Sequence, residues 1–229
     1  MIEVLFEDNH IIAVNKKTSD IVQGDKTGDE PLSHKVGKYL KEKYKKPGNV
    51  FVGVTHRIDR PVSGVLLFAR TSKALTRLNA MFKDKEQICK TYWAIVKNKP
   101  KETTGRLTNY LRKDSSKNKS FVSNANANGA KEAILDYKVI GKSDKYFLLE
   151  VSLLTGRHHQ IRAQLSAMGC PIKGDLKYGF SRSNPDAGIS LHARSIQFVH
   201  PVQKEEIRIE APVPNDQLWN FFEKQMSNA

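Results

Sequence analysis

The residues of this chain best placed to do chemistry are a carboxylate and its surrounding cations, in His56-Arg57-Ile58-Asp59-Arg60-Pro61-Val62-Ser63-Gly64. The stretch lies between two apolar runs, Asn49–Thr55 and Val65–Ala69, that both read as buried strands. An acid set among Arg57, Arg60 and Arg70 is held in its ionised form by opposite charge. Ser63-Gly64 supplies a turn before the chain re-enters a strand. Asp59 is therefore expected as a charged acid on a strand-connecting loop, where scaffolds usually present their reactive groups. The plain alternative is a surface ion pair, which contributes little to stability.

The elements that must position this loop are readable from periodicity. Ile2–Glu7 and His10–Asn15 are predicted as short strands around a turn at Asp8-Asn9. Lys16–Glu30 is polar and holds Gly24 and Gly28, so a loop is expected. Pro31 opens a helix through about Lys45 with Leu32, Val36, Tyr39 and Leu40 on one face. Its lysine-rich opposite face is expected to be solvated or to reach phosphates. Thr71 or Ser72 caps a second helix through about Lys85, its buried stripe marked by Leu75, Leu78 and Phe82. Lys90–Val96 reads as a strand, Leu107–Leu111 and Phe121–Ser123 as hairpin strands, and Glu132–Ile140 and Tyr146–Leu154 as an antiparallel pair. Thr155 or Gly156 caps a helix through Met168, ended by Gly169 and Pro171, and Asn215–Gln225 is an amphipathic helix. No internal repeat or composition break divides the chain, so residues 1–229 are read as one domain.

Composition narrows the partners. Of 229 residues, 39% are apolar and 8% aromatic, an ordinary globular balance. The 38 Lys and Arg outnumber 24 acids, a net charge of +14 that favours a polyanionic partner, most often nucleic acid. No apolar run is long enough to span a bilayer, and Met1–Glu7 lacks the pattern of a secretory signal. Cys89 and Cys170 have no metal-binding spacing and read as free buried thiols, consistent with a cytoplasmic setting. His56, His158, His159, His192 and His200 fit none of the spacings specific for zinc, so no metal is expected.

His56-Arg57-Ile58-Asp59-Arg60 followed by Ser63-Gly64 resembles the central motif of the RluA family of pseudouridine synthases, written HRLD, two or three residues, then SG. Three further blocks follow in the family's order. Lys90-Thr91-Tyr92 matches its K-x-Y element. Thr155-Gly156-Arg157-His158-His159-Gln160-Ile161-Arg162 resembles TGRxHQIR and runs on through Gly169-x-Pro171-Ile172-x-Gly174-Asp175 to Tyr178-Gly179. Leu191-His192-Ala193 and Phe198-x-His200-Pro201 match the closing strands. The first motif, NKP then glycine, is matched poorly by Asn15-Lys16-Lys17-Thr18-Ser19, and His158 and Gln164 stand where threonine and often histidine lie.

The resemblance implies an α+β fold, a long mixed, mostly antiparallel sheet with packed helices and a central RNA cleft. It implies that Asp59 is the catalytic residue, that Tyr92 lies against the target base and that Arg162 pairs with Asp59. Without them, Tyr92 reads as a core aromatic whose hydroxyl finds a partner. Candidate RNA contacts are His56, Arg57, Arg60, Arg157, His159 and Gln160, although each arginine could equally serve an internal ion pair. The chain begins with the catalytic domain's first strands, so no N-terminal S4 module is expected. The chemistry needs no cofactor, and the partner is RNA, ribosomal or transfer, bound by a monomer. Two rivals remain, a non-catalytic RNA-binding protein and a base-excising glycosidase using the same carboxylate.

Overall fold

The computed structural model describes residues 2–24, 28–84 and 87–227. In chain order its first elements are β1 (Val4–Glu7), β2 (Ile11–Lys16), α1 (Leu32–Lys43), β3 (Gly53–Val54), β4 (Ser63–Ala69) and α2 (Ser72–Lys83). There follow β5 (Ile88–Val96), β6 (Thr104–Asp114), β7 (Lys119–Ser123), β8 (Lys131–Lys142), β9 (Phe147–Leu153) and α3 (Gln160–Ala167). A single 3-10 turn at Leu176–Tyr178 precedes β10 (Leu191–Val199), β11 (Glu206–Glu210) and α4 (Gln217–Ser227). This is the expected α+β architecture, and every strand register described below is antiparallel.

The chain forms two units, each discontinuous. Unit 1 is Met1–Cys89 with Ala193–Pro212, and unit 2 is Lys90–His192 with Val213–Ala229.

In unit 1 the strands run β1-β2-β4-β10, with β3 beside β4 and β11 beside β10. β4 is buried at every position, which marks a central strand covered on both faces. Alternation sends Ile11 and Ala13 of β2 and Val65, Leu67 and Ala69 of β4 into one cluster. There they meet Ala74, Leu78 and Met81 of α2, spaced three and four apart. Thr71 caps α2 by accepting from the Ala74 N–H at 3.1 Å. Its buried stripe is thus Ala74, Leu78 and Met81, with Leu75 and Phe82 only partly covered; Lys85 lies outside the described residues.

Unit 2 orders its strands β5-β9-β8-β6-β7. One cluster sets Trp93, Ile95 and Leu148 against Trp219 and Phe222 of α4. Another joins Leu111, Ala133, Ala163 and Tyr178, seating α3 on β6 and β8.

Several expectations are corrected. Only Gly53–Val54 of the run Asn49–Thr55 is strand, and Phe51 is exposed. Ser63-Gly64 opens β4 and makes no turn; the turn is Asp59-Arg60-Pro61-Val62, closed by the Val62 N–H on the Asp59 carbonyl at 3.0 Å. α3 begins at Gln160, because Thr155 and Arg157 are engaged with the Gln160 side chain before the helix starts. Cys170 is buried as expected, whereas Cys89 is exposed.

Candidate active site

The loop carrying Asp59 is tied to β4 where β3 stops. β3 pairs Gly53 with Ala69 and Val54 with Phe68, and the next rung would fall at Leu67. There side chains replace the strand. The Thr55 hydroxyl donates to the Leu67 carbonyl at 2.6 Å, and the Leu67 N–H donates to His56 Nε2 at 3.1 Å. The His56 ring also stacks on Phe82 at 4.6 Å. His56 therefore anchors the loop, and Ile58, buried between exposed Arg57 and half-buried Asp59, is a second anchor.

Lys16 is the residue that sequence reading passed over. Its side chain is wholly buried, and its ammonium donates to the carbonyls of Lys17 at 3.0 Å, Arg60 at 2.9 Å and Val62 at 2.7 Å. Three donors meet three acceptors, two of them in the turn that begins at Asp59. Burial pulls the Lys16 pKa down to about 8, opposed by Asp20 and Asp59 and assisted by Arg60. The signal was present, since Asn15-Lys16 belongs to the poorly matched first block.

Two of the three arginines expected around Asp59 have other engagements. Arg70 is buried on Glu7 at 3.1 Å, bonds the Asp8 carbonyl and lies over the Tyr44 ring. Arg60 pairs with Asp29 at 2.7 Å, both half exposed, a geometry of little energetic weight.

In unit 2, Tyr92 lies buried on β5, opposite Val151 of β9. The loop Thr155-Gly156-Arg157 is laced to β8. Thr155 Oγ1 accepts from the Ile134 N–H at 2.9 Å and donates to Gln160 Oε1 at 2.7 Å. The Gln160 amide donates to the Ile134 carbonyl at 3.0 Å, and Arg157 Nε donates to the Glu132 carbonyl at 2.8 Å. Gln160 is buried, and both its amide atoms serve this loop.

Arg162 forms a buried two-bond ion pair with Asp175, Nε to Oδ2 at 2.7 Å and Nη2 to Oδ1 at 2.9 Å, and lies over the Tyr178 ring at 5.0 Å. Asp175 and Tyr178 had no role in the sequence reading, although both stand in the quoted third block. The Tyr178 hydroxyl meets the Ser120 backbone and His159 Nδ1 at 3.0 Å. Burial, and after it the nearby cations Arg162, His158, Lys177 and Lys113, drive the His159 pKa down to about 2. This surrounding favours the neutral form of the His159 imidazole. His158 stacks on it at 3.8 Å and meets Ser120 Oγ at 2.9 Å. Gln164 is buried, and its amide donates to Leu107, Asn109 and Ala133, which pins α3 to β6 and β8.

Among the described residues no group of three His, Cys, Asp or Glu could hold a metal ion, and no helix is long and apolar enough to cross a membrane.

The family model for RNA pseudouridylate synthase matches residues 10–167, which hold the Asp59 turn, Tyr92 and Arg162. The chain belongs to the RNA pseudouridylate synthase family. The ribosomal large subunit pseudouridine synthase C of Rickettsia prowazekii is 32% identical over 213 residues, covering 92% of this chain and 68% of that protein. The ribosomal large subunit pseudouridine synthase D of Zymomonas mobilis is 31% identical over 237 residues, covering 99% and 74%. Among solved structures, human RNA pseudouridylate synthase domain containing 4 shares the fold at a TM-score of 0.79, with 20% identity over 97% of this chain and 93% of its own. The protein is accordingly an RNA pseudouridine synthase, an isomerase whose substrate is uridine in RNA.

Proposed function

We propose that Asp59 is the carboxylate that acts on the sugar of the target uridine, and that the two units serve as one catalytic domain. The observation that supports this reading is the Lys16-bound turn, which gives a half-buried carboxylate a rigid backbone. Isomerisation breaks the N1–C1′ bond, turns the uracil, forms C5–C1′, releases the C5 proton to solvent and leaves N1 to take up a proton in its place. One C–N bond is exchanged for one C–C bond with no net redox change, so a carboxylate and a proton acceptor suffice. The base must first leave its stack, which costs a few kcal/mol. Tyr92 is proposed to lie on the flipped base. Arg162, whose plane Asp175 fixes, is proposed as the cation that pairs with Asp59 and orients it. Arg57, Arg60 and Arg157 are the proposed phosphate contacts, and a net charge of +14 supports such contacts.

The relatives' names favour ribosomal RNA of the large subunit as the target. Action as a cytoplasmic monomer without metal or cofactor completes the proposal. The test uses RNA from cells lacking the enzyme, with tritium at uridine C5. The expected result is one tritium released to water per turnover, with the chain unbroken and no free uracil. Tritium recovered in uracil, with an abasic site left behind, would show a glycosidase. Release of neither would leave only an RNA-binding protein.

A further inference from the structure

Among the described residues Lys90 is a cation without a counter-charge. It sits on β5 two residues before Tyr92, hence on the same face of the strand and ~7 Å along it. Its side chain is half-buried, yet among the described residues its ammonium has no hydrogen-bond or ion-pair partner. Burial alone shifts its pKa below the ordinary lysine range, with no carboxylate raising it. The contrast with Lys16 is instructive, because that buried ammonium has three carbonyls around it.

The neighbourhood suits an anion. Lys90 Nζ lies alongside Gly156, where an added Cβ would stand 3.7 Å from the nitrogen. Gly156 is exposed, so the absence of its side chain leaves the ammonium approachable from that side. The next residue, Arg157, bonds a backbone carbonyl through Nε and has no acidic partner among the described residues. Lys90 and Arg157 thus adjoin Gly156, and among the described residues no acid neutralises either. A charge left half-desolvated is unfavourable until a ligand supplies the opposite sign.

We infer that Lys90, together with Arg157 of the loop that adjoins it at Gly156, forms a phosphodiester-binding site that grips the RNA backbone next to the nucleotide lying on Tyr92. The inference rests on the RNA-isomerase reading. It adds a site that binds the ground state, set apart from the group that does the chemistry. A base against Tyr92 carries its own phosphate within reach of an ammonium one strand repeat away. The phosphate replaces the water lost on burial and keeps the amine protonated.

The probe is unmodified large-subunit ribosomal RNA made by transcription. Lys90→Gln is expected to weaken its binding about tenfold, the size of one charge-assisted hydrogen bond. The log–log salt slope should fall by about 0.7–0.9, the value of one phosphate contact. Saturating tritium release should stay within about threefold of wild type, and Lys90→Arg should restore affinity and slope together. Gly156→Val, which covers the ammonium and keeps its charge, should weaken binding without Lys90→Gln adding to the loss. Acylation of Lys90, read by mass spectrometry, should be suppressed by the RNA. Removing an unpaired buried charge should not lower the melting temperature of Lys90→Gln. The inference is overturned if Lys90→Gln leaves affinity and slope unchanged, or if RNA fails to protect Lys90 from acylation. Protection of Lys90 without any tritium release would instead keep the phosphate site and sink the isomerase reading.

Discussion

The ammonium of Lys16 donates a 2.7 Å hydrogen bond to the carbonyl oxygen of Val62, on the far side of the turn from Asp59. A side chain on β2 thereby sets the backbone of a loop that follows it by more than forty residues. Lys16→Met would leave the carbonyls of Lys17, Arg60 and Val62 without their donor, a loss of roughly 2–4 kcal/mol of stability. Turnover is expected to fall at least a hundredfold with RNA affinity nearly unchanged. The pH dependence separates this role from mere packing. The folded pKa near 8 lies below the ordinary 10.5, so the unfolded chain binds more protons between those values. Wild-type stability should therefore gain from this group as pH rises from about 8 to 10.5, at up to ~1.4 kcal/mol per unit. Urea midpoints of the variant should lack that gain. Equal slopes for both proteins would show that Lys16 is not the titrating group.

Asp59→Asn keeps the shape of the side chain and removes its charge. Isomerisation is expected to drop by about a thousandfold or more, with RNA affinity within a few-fold. Asp59 also raises the Lys16 pKa, so the variant should show its alkaline stability gain at lower pH than wild type. More than about a tenth of wild-type turnover would end the catalytic assignment.

His159 shows the same sign as Lys16, displaced to acid pH. Its folded pKa near 2 lies below the ordinary 6.5, so its stabilising share is full above 6.5 and is lost as pH falls toward 2. His159→Asn retains a residue that tolerates the left-handed backbone found here, φ 53°. The variant should be less stable at neutral pH, for want of the Tyr178 contact, and should lose less stability than wild type between pH 6.5 and 4. Parallel acid unfolding curves would contradict this.

Gly64 has φ 114°, and a Cβ there would fall 2.3 Å from the Ala193 carbonyl oxygen. Gly64→Ala combines a forbidden dihedral with a backbone collision, so a loss of more than about 4 kcal/mol is expected. A melting temperature within a few degrees of wild type would show that β4 and β10 can separate at this point without penalty.

The sequence disclosed whichever parts are governed by local periodicity or by a contiguous motif. The apolar spacing of Leu32, Val36 and Leu40 located α1, and the Thr71 cap located the start of α2. The Asp59 loop, Tyr92 and Arg162 stood inside recognisable blocks. What escaped notice depends on distant contacts. Lysine composition says solvent, so a lysine buried against three carbonyls is invisible until β2 and the Asp59 turn are seen together. Asn49–Thr55 looks like a strand, but Thr55 and His56 side chains take over the Leu67 backbone and end it early. Thr155 and Gly156 are good capping residues, yet the Gln160 side chain claims Thr155, and the helix starts at Gln160 behind a left-handed His159. Gln160 and His159 are expected at RNA; the Gln160 amide bonds the Ile134 carbonyl and His159 Nδ1 meets the Tyr178 hydroxyl, contacts that the sequence does not reveal.

Each unit receives a piece that follows His192 in the sequence, Ala193–Pro212 for one and Val213–Ala229 for the other. During synthesis the first 89 residues therefore emerge without the strand that Gly64 is shaped to admit, and unit 2 waits for Trp219 and Phe222. Neither half can mature as an early, self-sufficient product of the ribosome. A message broken before Ala193 yields a polypeptide with two unfinished cores, apolar and open to proteolysis, in place of one working half. Both cores therefore close only once residues 193–229 have been made.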